Sequence, residues 1–357
     1  MPNNEKLMKA KEAQFDEFYT EYKTISDELT NYRNHLKGKI VYLNCDDPCS
    51  SNFWRYFHNN FASLGLKKLI STHFVKDSEP SYKIEYTGGD DFNMDAGKVS
   101  QIVGDEKYTA GDFRSKDCIK LLEQADIVCT NPPFSLFGEY LKQLLDYGKS
   151  FIIIGNMNAA HNKNIFPYFR DNKIWYGASI HSGGVDFRMP DDIKFYSKNV
   201  FMKDGKPYIN LAGIRWYTNL DISYRHDGLW HKNGEFDKTI SHNYYEGNED
   251  KYPHYYNFDA IDVGSVNDIP IDWVGNMGVP VTILDKFNPD ELEIIGIGRD
   301  GEGITVDRSL YPKIKALNPN CRPSHIGYWD NGKPKEPFSR IIIKNKNPIS
   351  KKDDLGI

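Results

Sequence analysis

Short apolar runs alternate with helix-forming stretches over the first half of the chain, and this alternation restricts the fold more than any other feature. The runs KIVYLN (39–44), DIVCT (126–130) and FIII (151–154) are rich in β-branched residues and bounded by polar turns, as buried strands are. Strands that are apolar on both faces are typical of parallel sheets covered by helices. The sequence therefore predicts a doubly wound α/β sheet between residues 39 and 155.

The segments between these runs carry helix and turn signals. Ser51 is placed to cap a helix whose apolar face is formed by Phe53, Phe57, Phe61 and Leu64, with Gly65 as its stop. The other predicted elements are a strand at 67–74, a hairpin insertion at about 82–91, a short helix through 121–122 and a helix at about 136–147. Ligands of such sheets bind at the carboxyl ends of the strands, so the polar loops after the strands at 39–44 and 126–130 are predicted to hold the functional site.

Residues 156–357 change in character. Their strand-like stretches are separated by loops rich in Gly, Asn and Pro, and lie at 200–202, 208–217, 279–285, 291–298 and 340–344. We interpret this half as the last strands of the sheet followed by a second lobe.

Cysteine and histidine usage predicts neither a disulfide framework nor a metal site. The five cysteines have no paired ligand spacing, and the ten histidines form no His-x-x-His or His-Glu-x-x-His helix pattern. The chain opens with MPNNEKLMKAKEAQ, and no apolar run approaches the roughly 18 to 20 residues that cross a bilayer. We therefore expect a soluble, cytoplasmic protein without a structural zinc.

Charge is distributed unevenly along the chain. The net charge is −5, but residues 301–357 hold eleven Lys or Arg against six Asp or Glu, which gives +5 there and −10 over residues 1–300. A polyanion would meet the basic C-terminal end. An ordinary solvated surface accounts for the same asymmetry equally well.

The tetrapeptide Asn131-Pro132-Pro133-Phe134 follows the run DIVCT and precedes a predicted helix. The Asn131 side-chain oxygen and the Pro132 carbonyl are suited to accept the two hydrogens of an exocyclic amino group and to aim its lone pair at a methyl donor. The prolines stiffen the turn, and Phe134 offers a face to a base that has left its stack. Elsewhere NPPF would be a plain turn, but between a strand and a helix it favours methyl transfer to an amino group.

The segment DIVCTNPPFS (126–135) resembles the catalytic motif of amino-methyltransferases, and the flanking segments are similar to one family, the EcoRI-type adenine-specific DNA methyltransferases. The likeness includes DEFYT (16–20), VYLNCDDP with SNF (41–48 and 51–53), the Gly111-Asp112-Phe113 loop and, more faintly, residues 279–296. The resemblance implies S-adenosylmethionine as donor, adenine in double-stranded DNA as acceptor, base flipping and no metal requirement.

The resemblance also implies an architecture. It is the Rossmann-like doubly wound sheet of the class I S-adenosylmethionine-dependent methyltransferases with an added C-terminal recognition lobe. The expected divisions are a cofactor-contacting segment at 1–38, a catalytic domain at 39–220 and a DNA target-recognition lobe at 221–357. A monomeric, bacterial or phage-encoded enzyme is expected, either paired with a restriction enzyme or acting alone.

Site residues carried over from the family fall into a catalytic and a cofactor-binding set. The catalytic set is Asn131, Pro132, Pro133 and Phe134. The cofactor-binding set is Phe18, Tyr19 and Thr20 near the methionine part of the donor, Asn44, Asp46, Asp47 and Asn52 after the first strand, and Asp112 with Phe113 against the donor's adenine. Simpler interpretations remain open: Thr20 and Asp112 as helix caps, and Asp46 with Asp47 as a turn-forming pair.

Two departures from the general fold pattern concern the donor site. The loop after the first strand lacks a glycine-rich run, a feature shared with the EcoRI-type family, and the second strand ends in Thr72-His73 instead of an acidic residue. A G-x-G-x-x-G match does occur at 296–301, but no convincing helix follows it. We interpret that match as a plain turn or a loop near DNA, and not as a dinucleotide site.

Other functions use the same turn chemistry. Enzymes that methylate a glutamine amide of a protein or an amino group of an RNA base are the nearest alternative, although the protein-directed ones favour Tyr at the fourth motif position. A catalytically idle DNA-binding or toxin-antitoxin-like module is a further alternative, and the intact NPPF motif argues against it.

Overall fold

The computed structural model describes residues 18–76, 80–89, 96–190 and 198–355. These residues form two units: the first holds the described residues up to Ala160 together with Ile174–Leu220, and the second holds His161–Lys173 and the described residues from Asp221 onward. Residues 1–17 of the predicted N-terminal segment, and residues 90 and 91 of the predicted insertion, lie outside the described residues.

Among the described residues, the first unit contains twelve strands and six α-helices. The strands are β1 (Tyr19–Thr20), β2 (Ile40–Leu43), β3 (Lys68–Thr72), β4 (Ser81–Tyr86), β5 (Lys98–Ile102), β6 (Ile127–Thr130), β7 (Ser150–Asn156), β8 (Trp175–Tyr176), β9 (Gly184–Arg188), β10 (Val200–Lys203), β11 (Lys206–Ala212) and β12 (Ile214–Thr218). The helices are α1 (Tyr22–Leu29), α2 (Arg33–Leu36), α3 (Asn52–Asn59), α4 (Phe61–Leu64), α5 (Lys116–Gln124) and α6 (Phe137–Asp146).

Eight of these strands form one mixed sheet in the order β5-β4-β3-β2-β6-β7-β12-β8. The four central strands, β3, β2, β6 and β7, run parallel, and the outer pairs are antiparallel. The mixed α/β class predicted from the apolar runs is thus confirmed. Because β2 pairs with β3 on one side and with β6 on the other, the chain reverses direction across the sheet there, and such a switch point leaves a crevice beyond the carboxyl ends of the strands.

The helices cover the central strands with the apolar faces that the sequence indicated. Helix α3 packs on β3 and α1, α5 on β2, and α6 on β7. The Ser51 side chain caps α3 by accepting from the backbone N–H of Phe53 and Trp54. The predicted long helix after Ser51 is two helices, because Asn60 leaves the helical conformation at φ −110° and ψ 11°. Gly65 ends the second of them in the left-handed region, as predicted.

A single strand-like stretch, 208–217, divides between two sheets. Gly213 has φ +75°, a conformation that glycine adopts without a Cβ penalty, and it separates β11 from β12. Strand β12 joins the large sheet beside β7, whereas β11 joins a four-stranded antiparallel sheet in the order β1-β9-β11-β10. The short strand β1 is the edge strand of this second sheet and pairs with β9.

A buried carboxylate fixes the loop between β8 and β9. Glu28 of α1 is 0% exposed and accepts hydrogen bonds from the backbone N–H of Ala178 and Ser179, from the Ser179 hydroxyl and from the Tyr32 hydroxyl. Gly177 lies so close that an added Cβ would be 2.0 Å from Glu28 Oε1. Four neutral donors thus satisfy the carboxylate, and no cation of the described residues pairs with it.

The second unit is built on a four-stranded sheet. Its elements are α7 (Phe166–Arg170), β13 (His231–Lys232), β14 (Glu235–Phe236), β15 (Ala260–Asp262), β16 (Asn276–Pro280), β17 (Leu292–Ile297), α8 (Tyr311–Leu317), β18 (Tyr328–Asp330), β19 (Lys333–Lys335), β20 (Arg340–Asn345) and α9 (Lys351–Leu355). The sheet order is β15-β16-β20-β17, and β13-β14 and β18-β19 are two-stranded hairpins. Over the part of the chain that the structure describes, no helix is long and apolar enough to cross a membrane.

Two predictions for the second unit, the strand at 279–285 and the glycine motif at 296–301, have different outcomes. The predicted strand 279–285 is wrong from Val281 onward: the strand ends at Pro280, which has no N–H to donate to the ladder, and a 3-10 helix over Val281–Asp285 follows. The glycine motif at 296–301 closes a turn in which the Gly301 N–H donates to the Ile304 carbonyl. No helix follows that turn directly, so it lacks the helix N-terminus to which a dinucleotide motif would bind its phosphates.

Candidate active site

A cavity of about 250 Å³ opens where β2, β3 and β6 end. All nine residues predicted to bind the cofactor line it: Phe18, Tyr19, Thr20, Asn44, Asp46, Asp47, Asn52, Asp112 and Phe113. Of the predicted catalytic residues, Asn131 and Pro133 line the cavity, whereas Pro132 and Phe134 lie outside its lining. The topology therefore brings together two loops that are about 85 residues apart in sequence.

The Asn131 side chain is oriented by the N-terminal segment. Its amide nitrogen donates to the Phe18 carbonyl over 2.8 Å. The reverse orientation would place two oxygens against each other, so this contact fixes which side of the amide is the acceptor. Asn131 Oδ1 is buried and has no hydrogen-bond partner among the described residues. The amide oxygen is therefore an acceptor without a partner among the described residues, on a residue that lines the cavity.

Asp46 connects the loop after β2 to the loop after β6. One carboxylate oxygen accepts from the Ser51 hydroxyl over 2.8 Å, and the other accepts from the Thr130 hydroxyl and, over 3.3 Å, from the Asn131 backbone N–H. The Ser71 hydroxyl donates to the Asp46 carbonyl over 2.5 Å. These contacts position the catalytic turn against the end of β2, a role that the sequence did not indicate.

Burial raises the pKa of the Asp46 carboxyl from 3.8 to about 6, although the hydrogen bonds from Thr130, Ser51 and Asn131 act in the opposite direction. Burial and the neighbouring Asp46 charge likewise raise the pKa of the Cys45 thiol well above its ordinary value. The Cys45 thiol is therefore protonated at neutral pH and is a poor nucleophile.

The raised pKa of Asp46 makes a testable statement about stability. Because the native state binds this proton more tightly than the unfolded chain, the contribution to stability is complete below about pH 4 and is lost as the pH rises through about 6. Asp46→Asn removes this loss. We expect the free energy of unfolding of the variant minus that of wild type to be larger at pH 8 than at pH 4 by up to about 3 kcal/mol. The variant thus gains stability relative to wild type as the pH rises.

Urea unfolding of both proteins between pH 4 and pH 8 measures this difference. Asp27→Asn is the matched control, because its carboxylate pairs with Lys23 at the surface. The assignment would be contradicted if the free energy of unfolding of Asp46→Asn minus that of wild type did not change with pH, or increased as the pH fell.

Two further polar atoms around the cavity lack partners within the described chain: Thr20 Oγ1 and Asn44 Nδ2. The Asn44 amide oxygen already accepts from the Tyr140 hydroxyl, and the Asn52 amide nitrogen donates to the Thr20 carbonyl over 2.8 Å. Thr20 is not the helix cap that the sequence left open, because the N-cap of α1 is Glu21 and makes no side-chain capping bond. Buried polar atoms without partners are costly, and a polar ligand in the cavity would satisfy them.

Asp47 has a different environment from Asp46. It accepts from the Tyr82 hydroxyl over 2.8 Å and from the Cys49 N–H over 3.1 Å, and its second oxygen accepts from the Ser50 hydroxyl. The bond to the N–H two residues later is an Asx turn. Asp47 therefore forms a turn, as the simpler interpretation predicted, and also lines the cavity.

Asp112 and Phe113 form the wall on the side of β3. The Arg114 guanidinium binds the Asp112 carboxylate at 2.8 and 2.9 Å, and Ser115, not Asp112, caps α5. The Phe113 ring packs edge-on against Tyr140 at 4.9 Å. Gly111 has φ +83°, and an added Cβ would lie 2.0 Å from the His73 carbonyl oxygen. This close approach requires glycine at the start of the loop.

Phe134 belongs to a group of three aromatic rings beside the catalytic turn. Its ring centroid lies 6.2 Å from that of Phe18 and 6.3 Å from that of Phe187, and the latter two are 6.1 Å apart. Backbone pairing brings Phe18 and Phe187 together, because Thr20 of β1 pairs with Phe187 of β9 and Phe18 directly precedes β1. Pro133 precedes Phe134 with φ −56° and ψ 123°, the extended conformation that its ring favours.

Several residues of the site were not predicted as site residues from the sequence. Those that line the cavity are Cys45, Ser50, Phe53, His73, Phe74 and Leu136, and Phe187 completes the aromatic group. Phe187 lies on a β9 segment that no sequence pattern marked. Among the described residues, no group of three or more His, Cys, Asp or Glu side chains is arranged to hold a metal ion.

Comparisons with known proteins agree across nearly the whole chain. A family described as "Adenine-specific methyltransferase EcoRI" matches residues 6–346. The chain is 40% identical over 355 residues to the Type II methyltransferase M.EcoRI of Escherichia coli, covering 96% of this chain and 97% of that protein. It is 36% identical over 345 residues to the Type II methyltransferase M.MpnI of Mycoplasma pneumoniae, covering 96% and 98%. No solved structure gives a significant match.

Proposed function

The chain belongs to the family of EcoRI-type adenine-specific methyltransferases, and on that premise we propose how its residues carry out the reaction. It is an adenine-specific DNA methyltransferase of the restriction-modification type. The reaction proposed is transfer of a methyl group from S-adenosylmethionine to N6 of an adenine that has been flipped out of double-stranded DNA. The single observation that supports this chemistry best is the unpartnered Asn131 Oδ1 beside the cavity.

The large sheet is proposed to be the Rossmann-like sheet of the class I methyltransferases. Its parallel centre and the cavity at its switch point support this. The proposed divisions are the cofactor-contacting segment at 1–38, the catalytic domain at 39–220 and the DNA target-recognition lobe at 221–357. We propose that the enzyme acts as a monomer in the cytoplasm, where its DNA substrate is present.

The residues around the cavity fit S-adenosylmethionine, which supplies an electrophilic methyl group on a sulfonium centre. Two polar groups have no partner among the described residues: the Thr20 hydroxyl, which can donate and accept, and the Asn44 amide nitrogen, which can donate. Asp46, Asp47 and Asp112 offer carboxylates to a cationic ligand with hydroxyl groups, and Phe113 offers a ring face to a purine. Phe18, Tyr19 and Asn52 complete the wall on the side of the N-terminal segment.

Asn131 orients the acceptor amino group. Its Oδ1 accepts one N6 hydrogen while the Pro132 carbonyl accepts the other, which turns the nitrogen lone pair toward the methyl group. The Phe18 carbonyl holds the amide in the orientation that leaves Oδ1 as the acceptor without a partner. Asp46 keeps the turn in register through the Asn131 N–H. Both groups act before the reaction as positioning groups.

Phe134 is proposed to stack on the flipped adenine. A base inside a duplex cannot reach a buried cavity, and extrusion requires a surface that replaces the lost stacking. Phe18 and Phe187 support the Phe134 ring on two sides. The acceptor classes left open by the sequence, an RNA amino group or a protein glutamine, are not favoured, because the matched family is adenine-specific.

The direct test is methyl transfer from labelled S-adenosylmethionine to genomic DNA that lacks adenine methylation, followed by sequencing that detects N6-methyladenine. We expect label in DNA, confined to adenine within one short sequence. Asn131→Ala protein prepared in parallel controls for a contaminating enzyme. RNA and a total protein extract serve as competing acceptors in separate reactions.

The outcomes separate the parts of the proposal. Label in RNA or protein with none in DNA would contradict the assignment of DNA as the methyl acceptor. Methylation of cytosine would overturn the adenine assignment. Absence of transfer to any of the three, together with measurable binding of S-adenosylmethionine, would favour the catalytically idle module.

A further inference from the structure

Exposed apolar side chains cluster within one stretch of the second unit. Of the twelve large hydrophobic residues found exposed among the described ones, four lie between residues 310 and 338: Leu310, Leu317, Trp329 and Phe338. Phe338 is 84% exposed, more than any other in that set. Single exposed hydrophobic residues are normal on protein surfaces, but a contiguous group indicates a binding surface.

The elements that carry these residues are packed together. Helix α8 contacts β19, and the Asn318 side chain just after α8 donates to the Pro334 carbonyl. An open groove is lined by Asn318, Arg322, Lys335, Glu336 and Phe338, among others. We call the surface formed by α8, the β18-β19 hairpin and Phe338 the hairpin surface.

Phe338 is held firmly although its side chain is exposed. Pro337 before it is buried, the Ser339 hydroxyl is hydrogen-bonded to His161 over 2.9 Å, and Arg340 binds the buried Asp262 carboxylate. The Arg340 guanidinium also donates to the Phe338 carbonyl. The hairpin itself rests on the core through Tyr328, which packs against a buried cluster that includes Tyr255. The ring is thus presented to solvent by a fixed backbone, not by a frayed end.

The charge of this stretch identifies the class of partner. Residues 308–340 hold seven Lys or Arg against two Asp or Glu, although Arg308 and Arg340 pair with Asp300 and Asp262 outside this stretch. Lys313 lies 5.9 Å from the centroid of the Trp329 ring, and neither Lys313, Lys315 nor Lys333 forms an ion pair with a described carboxylate. Unpaired lysines around exposed aromatic rings suit a ligand with phosphates outside and stacked bases inside.

We propose that the hairpin surface binds duplex DNA, with Lys313 and Lys333 on phosphates and Phe338 inserted as an apolar wedge between base pairs. This inference rests on the proposed function, since it names the surface through which the same enzyme meets its substrate. Base extrusion needs a distorted duplex, and an inserted side chain promotes that distortion. A second copy of the chain is a poorer occupant, because a two-fold contact would bring this basic surface against itself.

The test measures binding of the full-length protein to a fluorescent 30-base-pair duplex by anisotropy at several salt concentrations. Phe338→Ala is expected to weaken binding about tenfold at each salt concentration without changing the salt dependence. Lys313→Gln with Lys333→Gln is expected to lower the slope of log Kd against log salt by about 2, since each phosphate contact contributes about 0.9. Phe338→Leu is expected to keep most of the affinity, because leucine also serves as a wedge.

Matched controls come from outside the proposed recognition lobe. Val99 is exposed and apolar, and Lys67 and Lys206 are exposed lysines of the first unit; Val99→Ala and Lys67→Gln with Lys206→Gln should bind as wild type does. Binding of S-adenosylmethionine and the unfolding midpoint should be unchanged in all variants, which separates loss of the surface from loss of the fold.

Two results would overturn the proposal. One is wild-type DNA affinity and salt slope in both the Phe338 and the lysine variants. The other is conversion of a dimer to a monomer by Phe338→Ala, seen by light scattering with DNA binding intact, which would assign the surface to a second copy. Neither result bears on methyl transfer by the wild-type protein, so failure here is distinguishable from failure of the proposed function.

Discussion

Replacing Asn131 by Ala is expected to lower kcat for methyl transfer by on the order of 10²–10³-fold while leaving the Kd for S-adenosylmethionine within about threefold of wild type. The variant lacks the only side-chain acceptor of the catalytic turn, but most of the cavity wall remains. It also loses the hydrogen bond to the Phe18 carbonyl, which costs about 1 kcal/mol of stability. Single-turnover kinetics and calorimetric titration of the donor measure the two quantities separately.

Asn164→Ala is the matched control, because Asn164 is exposed and belongs to the second unit. Its kcat and donor Kd should equal those of wild type. If Asn131→Ala retained more than a tenth of the wild-type kcat, the amide would not be the acceptor that orients the amino group. If instead the donor Kd rose in proportion to the fall in kcat/KM, Asn131 would be a donor-binding residue.

The largest effect on stability is expected at Glu28. Glu28→Ala leaves the backbone N–H groups of Ala178 and Ser179 buried without an acceptor, and each such group costs about 1–3 kcal/mol. The Tyr32 hydroxyl, whose pKa is raised by burial and by the Glu28 charge, loses its acceptor as well. We expect the free energy of unfolding to fall by about 3–5 kcal/mol, measured by urea unfolding at pH 7.

The neighbouring Asp27 supplies the control. It forms an exposed ion pair with Lys23, and such pairs contribute about 0–1 kcal/mol, so Asp27→Ala should change stability little. Glu28→Gln should lie between the two, since one amide oxygen can still accept from the loop. A fall below about 1 kcal/mol in Glu28→Ala would show that the loop finds other acceptors and that the carboxylate does not hold it.

The parts of the fold that the sequence predicts well are those decided within a few neighbouring residues. The apolar runs become β2, β6 and β7 because a strand between two parallel neighbours is buried on both faces, and Ile152–Ile154 are 0% exposed. The Ser51 cap and the Gly65 stop depend on local backbone geometry alone. The site follows from the same logic, because parallel strands place their following loops at one edge.

What the sequence does not predict depends on distant partners. The bond from Asn131 to the Phe18 carbonyl joins residues 113 positions apart and uses a backbone acceptor that every residue type possesses. Phe187 joins the site only because β9 pairs with β1. The stretch 208–217 reads YINLAGIRWY and is mostly apolar on both sides of Gly213, so its pattern does not show that the two halves join different sheets.

The place of β12 in the large sheet has a consequence for synthesis of the protein. Strand β12 ends at Thr218 and pairs with β7 along its whole length, and its Trp216 packs against Phe53 at the start of the helix that borders the cavity. The sheet of a growing chain therefore stays open at that edge until residue 218 has left the ribosome. Translation, which adds roughly 5–20 residues per second, thus imposes a delay of about ten seconds or more between the first residues of the site and the first competent enzyme.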